Sequence, residues 1–199
     1  MTEKLSNIYH DPIQLFAEIY AQAQQAITPE PTAMVLATVN AEGRPSARVV
    51  LLKGFDDNGF VFFTNLESRK GRELQAHPFA ALCFHWPALE RQVRIEGRVV
   101  NVPDAEADAY FASRPRGSQI GAWASKQSQP LATREELEAR VRSFEKKFAG
   151  GEVPRPPFWS GFRVIPDRIE FWEARVSRLH DRTVYLRQNG MWMMEKLYP

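Results

Sequence analysis

The stretch SARVVLLKGFDDNGFVFFTN, residues 46–65, decides the fold class. Two runs rich in valine, leucine and phenylalanine flank the tetrapeptide DDNG, and Asn-Gly between two apolar runs is a strong signal for a β-hairpin. The sequence therefore predicts a strand over residues 46–55, a tight turn, and a second strand over residues 60–65.

Further strand-like runs flank this hairpin on both sides. AMVLATVN, residues 33–40, precedes it, and the turn-like AEGRP joins the two. FAALCFHW follows at residues 79–86, and in RQVRIEGRVVNV, residues 91–102, apolar and charged side chains alternate as they do in a strand with one buried face. The last third of the chain returns to this pattern in four runs, GFRVIP, RIEFWEARV, TVYLRQ and WMMEKLYP.

Helical signals interrupt the strands at four places, which are residues 11–27, 68–78, 103–114 and 134–149. The last of these is the clearest, because Thr133 caps it and Glu136 completes a capping box. Residues 115–130 contain few hydrophobic side chains and are predicted to form a loop.

Strands in hairpin succession with a few inserted helices predict a mainly β protein of the α+β class. We expect an antiparallel barrel or sheet with helices at its periphery. The order of elements is not βαβ, and the dinucleotide fingerprint is absent from the sequence, which disfavours a Rossmann fold. A chain of 199 residues is expected to form a single domain over residues 1–199, with residues 1–10 as a short N-terminal arm.

Composition excludes several classes of protein. Hydrophobic residues make up 44% of the chain, and the formal net charge of +2 does not suit a protein coated in nucleic acid. The single cysteine, Cys83, excludes an internal disulfide, and the four histidines lack metal-site spacing, so no metal is expected. Without an 18-residue apolar run or a signal-peptide core, we expect a cytoplasmic protein with no membrane span.

Three clusters of basic residues suit oxyanions. The first stands at a strand-to-helix junction, where Arg69 and Lys70 accompany the free N–H groups of a helix N-terminus. The second occupies residues 113–128, and the third is RVSRLHDR, residues 175–182. The alternatives are a solvated helix start, a mobile basic loop and a salt-bridged surface strand. In an extended strand, Arg178, His180 and Arg182 would line one side.

Several blocks occur in the order and spacing of a known family. They are RVVLLK, FFTNLESRKGREL, ERQVRIEG, YFASRPRGSQIGAWASKQS, FWSGFRV and IEFWEARVSRLHDR. In these blocks the chain resembles the pyridoxamine/pyridoxine 5′-phosphate oxidases from about residue 11 to Pro199. The resemblance implies an FMN-binding split β-barrel and a homodimer with FMN at the interface. It also implies hydride transfer from C4′ of the substrate to N5 of FMN, with reoxidation by dioxygen to hydrogen peroxide.

The resemblance also implies roles for individual residues. The cofactor would be bound by Arg48, Val49, Leu51, Lys53, Phe63, Thr64, Arg69, Lys70, Gln92, Gln127, Ser128, Trp172 and Arg182. The substrate phosphate would meet Lys53, Tyr110, Arg114 and Ser118, and the candidate catalytic residues at the substrate ring are Arg178 and His180.

Two departures from the family pattern stand out. The chain begins only ten residues before the first predicted helix, so the N-terminal lid is expected to be short, and Phe63 stands where tyrosine is frequent. Three alternatives remain: a split-barrel flavin reductase that uses NAD(P)H or a deazaflavin, a non-catalytic FMN- or pyridoxal-phosphate-binding protein and, least favoured, a nucleic-acid-binding β-protein.

Overall fold

The computed structural model describes residues 11–26 and 30–199. The arm expected over residues 1–10 and the end of the first predicted helix, Ile27, therefore lie outside the described residues. In the part that is described, no helix is long and apolar enough to cross a membrane.

Five α-helices and nine strands form the described molecule. The helices are α1 Pro12–Ala26, α2 Arg69–Ala76, α3 Asp104–Ser113, α4 Arg116–Ala124 and α5 Arg134–Lys147. The strands are β1 Ala33–Val39, β2 Pro45–Leu51, β3 Gly54–Asp56, β4 Gly59–Asn65, β5 Phe79–Trp86, β6 Arg91–Asn101, β7 Trp159–Glu173, β8 Asp181–Gln188 and β9 Met191–Leu197.

All nine strands belong to one antiparallel sheet. Its order is β2-β1-β5-β6-β7-β4-β3, with β8 paired to β7 and β9 paired to β8. The sheet curls until its two ends meet, where the amide of Lys53 donates to the carbonyl of Val61 at 2.8 Å. Helix α1 packs against the core, and the Phe16 ring centroid lies 4.9 Å from those of Phe55 and Phe60. The predicted mainly β fold with peripheral helices is confirmed.

The hairpin predicted over residues 46–65 forms, but its first strand is divided. Asp56 pairs with Gly59 across the turn, as the DDNG signal predicts. Strand β2 ends at Leu51: Leu52 still donates to Thr32 in the register of β1, but the next amide, that of Lys53, donates to Val61. This division turns the chain from one end of the sheet to the other and so closes the barrel.

Strand β7 is a single continuous element of 15 residues, although the sequence predicts two strands there. Along one edge it pairs with β6, and a bulge at Glu96/Gly97 leaves Asp167 as the extra residue, next to Pro166, which has no N–H to donate. Its other edge is shared by β4 in the first half and β8 in the second half.

The predicted loop over residues 115–130 contains helix α4, and this prediction was wrong. A tertiary contact supplies the missing stability, because Gln119 Nε2 donates to the carbonyls of Phe111 and Ala112 at the end of α3. Ile120 is buried in the same region, which a polar composition does not reveal.

The extended strand predicted for residues 175–182 is also wrong. Val176–Arg178 forms a 3-10 turn in which Ser177 and Arg178 have φ of 59° and 61°. The turn closes because Arg175 Nε donates to Asp181 at 2.6 Å and the Arg175 amide donates to His180 Nδ1 at 3.2 Å. Of the three residues Arg178, His180 and Arg182, only Arg182 therefore lies in strand β8. The expected alternation of the three along one strand does not occur.

Gly71 of helix α2 is required by close packing. A Cβ atom there would lie 2.2 Å from the carbonyl oxygen of Leu66, which leaves no room for a side chain. Gly71→Ala is expected to destabilise the protein by about 1–3 kcal/mol through overpacking. In most helices the same change stabilises. Unfolding in denaturant measures the effect, and Gly117→Ala in α4, where the Cβ meets nothing within 4 Å, is the matched control. A Gly71→Ala protein as stable as the parent would contradict this packing argument.

Candidate active site

A cavity of about 650 Å³ opens where the two ends of the sheet part, beside helices α3 and α4. Strands β2 and β4 form one wall and the helices form the other. The cavity is lined by ten of the predicted site residues, which are Val49, Leu51, Lys53, Phe63, Thr64, Lys70, Tyr110, Arg114, Ser118 and Gln127.

The charges in this cavity all have one sign. Lys53, Lys70 and Arg114 line it, and none of the described residues that line it carries a carboxylate. Among the described residues, none of these three cations forms an ion pair. Cations that are confined together without counter-ions attract an anionic ligand. The cavity is therefore suited to a phosphate or a carboxylate.

Arg114 is the cation most affected by the lack of a counter-ion. Its Nη1 atom is buried and has no hydrogen-bond partner among the described residues. Burial lowers the pKa of the guanidinium, and the neighbouring Tyr110 partly opposes that shift. A buried donor without a partner costs free energy unless a ligand supplies the acceptor. Arg114 also lines the cavity, so a phosphate bound there would supply the opposite charge.

Aromatic rings hold Arg114 in place. Its guanidinium lies 4.7 Å from the ring centroid of Trp159, which is within the range of a cation–π contact. Phe63 stacks on the same tryptophan at 5.5 Å and on Tyr110 at 4.0 Å. Trp159 was not among the predicted site residues. It stands in the block FWSGFRV, residues 158–164, for which the resemblance named no site residue.

Lys70 lies at the start of helix α2, where the sequence predicts a phosphate site. Ser68 caps the helix by accepting from the Gly71 amide at 3.3 Å. Lys70 Nζ donates to Gln127 Oε1 at 2.9 Å, and Thr64 Oγ1 donates to the same oxygen at 3.2 Å. Burial, followed by the nearby charge of Arg48, lowers the pKa of Lys70 to about 8.

Arg48 and Arg69 lie beside this cavity but are paired with Glu73. Arg69 Nε donates to one oxygen of the carboxylate at 2.8 Å, and Arg48 Nη2 donates to the other at 3.2 Å. Burial alone would raise the pKa of Glu73. Hydrogen bonds from Thr38, Ser46 and Arg69, together with the charge of Arg48, lower it to about 2. Glu73 was not predicted, although its position four residues after Arg69 is the spacing of a helical ion pair.

A second group of predicted residues lies elsewhere on the sheet. Gln92 pairs with Trp172 across β6 and β7, and Trp172 pairs with Arg182 across β7 and β8. The ring of His180 lies 4.6 Å from that of Trp172, and Arg182 Nε donates to the buried Glu170 at 2.8 Å. Gln92 and Trp172 line a smaller cavity of about 250 Å³.

One chain does not bring the two groups together. Trp159 lines the large cavity at the start of β7, whereas Trp172 lines the small one near the end of that strand. Extended strand of this length separates them by roughly 40 Å along the chain. Arg178 is exposed on its turn, and Ser128, at a φ of 70°, lines a third pocket of about 180 Å³ with Gln127.

The curled sheet is shared with solved flavin proteins. It aligns at a TM-score of 0.77 with a pyridoxamine 5′-phosphate oxidase-related, FMN binding protein from Nostoc punctiforme, covering 96% of this chain and 99% of that chain at 19% identity. The fold is therefore the split β-barrel of FMN-binding proteins.

Sequence comparison narrows this class to a family. A model described as pyridoxamine 5′-phosphate oxidase matches residues 20–148, and the pyridoxine 5′-phosphate oxidase C-terminal dimerisation region matches residues 159–199. A pyridoxine/pyridoxamine 5′-phosphate oxidase of Myxococcus xanthus is 71% identical, covering 95% of this chain and 92% of that protein. PhzG from Burkholderia lata 383, solved with tetrahydrophenazine-1-carboxylic acid, is 34% identical at a TM-score of 0.91, covering 100% of this chain and 98% of that chain. The chain belongs to the pyridoxamine 5′-phosphate oxidase family of oxidoreductases.

The unpaired cations predict binding of simple anions to the apoprotein. Inorganic phosphate at tenfold its dissociation constant should stabilise the fold by about 1.4 kcal/mol. Arg114→Met should reduce that gain without lowering the stability measured in the absence of phosphate, since it removes a half-buried charge that has no partner among the described residues. Thermal unfolding with and without phosphate measures both quantities. Arg142→Met, on the exposed face of α5, is the control, and an equal response of both variants to phosphate would contradict the assignment.

Proposed function

We propose that the protein is an FMN-dependent oxidase that converts pyridoxamine 5′-phosphate and pyridoxine 5′-phosphate into pyridoxal 5′-phosphate. Dioxygen would be the electron acceptor, hydrogen peroxide a product, and ammonia a second product from the amine. The observation that carries this proposal is the cationic cavity lined by Arg114: within the described part of the chain it has no carboxylate, and Arg114 Nη1 has no hydrogen-bond partner. Membership of the oxidase family and the high identity to the Myxococcus xanthus enzyme support the choice of substrate.

The substrate phosphate would bind at Arg114. Lys53, Tyr110 and Ser118 line the same cavity, so two cations and two hydroxyl groups surround the position. Guanidinium and ammonium groups both suit phosphate, and the fork of an arginine can bind two of its oxygens. Trp159 would keep that guanidinium in place while the ligand exchanges, because the cation–π contact does not use the N–H groups.

The residues around α2 fit the phosphate of FMN. Arg48, Arg69 and Lys70 bring three positive charges, and Glu73 brings one negative charge, which leaves a surplus of two. A phosphate monoester carries nearly two negative charges at neutral pH, so the charges are complementary. When bound, FMN supplies the hydride acceptor. We propose that Val49, Leu51, Lys53, Phe63, Thr64, Gln127 and Ser128 contact the cofactor from the same chain.

The second group of residues would complete the site of a partner subunit. Gln92, Trp172 and Arg182 are assigned to the cofactor by resemblance, but they lie far along β7 from the large cavity. A homodimer with FMN at its interface would bring them to the cavity of the other copy, and the match to a dimerisation region supports this assembly. Val35 and Val49, which pair across β1 and β2, remain 39% and 64% exposed in one chain. Light scattering at micromolar concentration tests the dimer, and a monomer holding stoichiometric FMN would contradict it.

Arg178 and His180 would face the substrate ring from that same partner. His180 Nδ1 accepts from the Arg175 amide, so the neutral imidazole carries its proton on Nε2. His180 thus offers a hydrogen-bond donor to a substrate oxygen or nitrogen. Arg178 is exposed and held at positive φ, a conformation that non-glycine residues rarely adopt except where surrounding structure or function requires it.

A second candidate follows from the likeness to PhzG. That protein was solved with a tricyclic carboxylic acid, and the cationic cavity of this chain would also accept a carboxylate. Identity of 71% to the Myxococcus xanthus oxidase against 34% to PhzG favours the phosphorylated substrate. The flavin reductase and the non-catalytic binding protein remain as further alternatives.

One experiment distinguishes these functions. The purified protein should show a flavin absorbance spectrum, which pyridoxine 5′-phosphate should bleach in the absence of oxygen and air should restore with release of peroxide. Bleaching by NADPH instead would indicate a reductase, and bleaching only by a tetrahydrophenazine carboxylic acid would indicate the second candidate. A colourless protein that cannot be reconstituted with FMN would overturn the proposal.

Lys70 should make FMN binding dependent on pH. Its pKa of about 8 in the unliganded protein means that the amine loses its charge above that pH, while a bound phosphate would stabilise the charged form. FMN affinity should therefore be full below pH 8 and fall by roughly tenfold towards pH 9.5. Flavin fluorescence titrations at each pH measure this. Lys70→Arg keeps its charge throughout and should remove the dependence; if it titrates as the parent does, another group is responsible.

Arg178 should matter for turnover but not for the cofactor. Arg178→Ala is expected to leave FMN bound and to reduce kcat/KM by on the order of 10²–10³, the scale for losing one preorganised electrostatic contact. Steady-state oxidation of pyridoxine 5′-phosphate measures the change. Arg142→Ala, which removes an exposed arginine from helix α5, should have no effect. If Arg178→Ala turns over within about twofold of the parent, residues 175–182 are a surface segment with no role in turnover.

A further inference from the structure

Only two charged side chains are buried within the part of the chain that the structure describes. They are Glu73, 5% exposed, and Glu170, 1% exposed. Each accepts hydrogen bonds from arginines, and Glu73 binds the two arginines that the proposed function assigns to the cofactor phosphate. A buried carboxylate among phosphate-binding cations needs a reason, because it opposes the binding of an anion by simple charge.

The geometry of Glu73 gives that reason. Its two oxygens bind the two arginines separately, Oε1 receiving Arg69 Nε and Oε2 receiving Arg48 Nη2. Oε2 also accepts from Thr38 Oγ1 at 2.5 Å and from Ser46 Oγ at 2.7 Å, so strand β1, strand β2 and helix α2 converge on one carboxylate. Without it, Arg48 and Arg69 would repel each other, and each would lose a fixed acceptor.

We propose that Glu73 is a positioning residue for the cofactor phosphate: it holds Arg48 and Arg69 in one arrangement before FMN arrives. The inference rests on the proposed function, since it assigns the phosphate to these arginines. Glu73 leaves Arg69 Nη1 and Nη2 without a partner among the described residues, so those donors stay available. The two flexible side chains are then ordered during folding and not during binding. This strengthens binding, because less side-chain conformational entropy is lost when FMN binds.

The charge of Glu73 and its positioning of the arginines predict opposite effects of one substitution on FMN binding. Glu73→Gln raises the local positive charge, and by charge alone it should tighten the binding of an anion. A glutamine, however, has only one acceptor oxygen, so it cannot hold both arginines in the way that the carboxylate does. If positioning dominates, FMN should bind more weakly. Riboflavin, which lacks the phosphate, should bind as it does to the parent, because no other part of the flavin is assigned to these arginines.

The test measures the dissociation constants of FMN and riboflavin for the apoprotein by flavin fluorescence. For Glu73→Gln we expect the constant for FMN to rise by on the order of tenfold, the scale of one weakened charged hydrogen bond, while that for riboflavin stays within about twofold. Glu67→Gln is the matched control, because it removes an exposed carboxylate six residues away that binds no arginine among the described residues. Glu73→Asp is the second variant. It keeps the charge, but its side chain is too short to reach both arginines. It should therefore also weaken the binding of FMN and leave the binding of riboflavin unchanged, and it provides the test if Glu73→Gln does not fold.

Two results would overturn the inference. Unchanged or tighter FMN binding by the Glu73 variants would show that charge, and not position, is what the carboxylate contributes. An equal loss of FMN and riboflavin would show a general structural role. A parent protein that binds neither flavin would instead overturn the proposed function, on which this inference depends.

Discussion

The continuous pairing of β7 is the constraint on which the rest of the structure depends. One edge of this strand is satisfied by β6 along its length, and the other edge is divided between β4, which closes the barrel, and β8, which begins the C-terminal hairpin. A paired strand is extended and cannot fold back, so residues at its two ends stay apart in one chain. If both groups serve one flavin, as we propose, a second copy must supply the distant group. The dimer would then be part of the site itself.

The cations of the candidate site fall into two groups. Arg48, Arg69 and Arg182 are paired with buried glutamates, so their charges are compensated when no ligand is bound. Lys53, Lys70 and Arg114 face the large cavity and form no ion pair with any residue that the structure describes. Burial without a partner disfavours the charged form, and the lowered pKa values of Lys70 and Arg114 reflect that cost. An anionic ligand would remove this cost. The three unpaired cations are therefore the part of the site that a bound ligand would stabilise most.

Local signals predicted those elements whose cause is local. The DDNG turn and the Thr133 cap of α5 formed as expected, because a few neighbouring residues determine both. Helix α4 was missed since its support comes from Gln119 bonding to the end of α3. The strand expected over residues 175–182 fails for a similar reason: Arg175 and Asp181 close a turn that alternation of side chains cannot reveal. The site positions came from resemblance, but the sequence alone did not indicate that Glu73 and Trp159 support them.

Phe63, where tyrosine is frequent in the family, packs well into the wall of the cavity. Its ring stacks on Tyr110 and lies parallel to that of Trp159, and Gly161 on the paired strand makes room for it, since a Cβ there would come within 2.7 Å of the ring. Stacking of this kind needs an aromatic face and not a hydroxyl group, so phenylalanine preserves the support of Trp159 and, through it, of Arg114. What the wall loses is a polar contact to the ligand at this position. Recognition of polar atoms on the ligand would then fall to Thr64, Lys70 and Gln127, which already share hydrogen bonds at the mouth of the site.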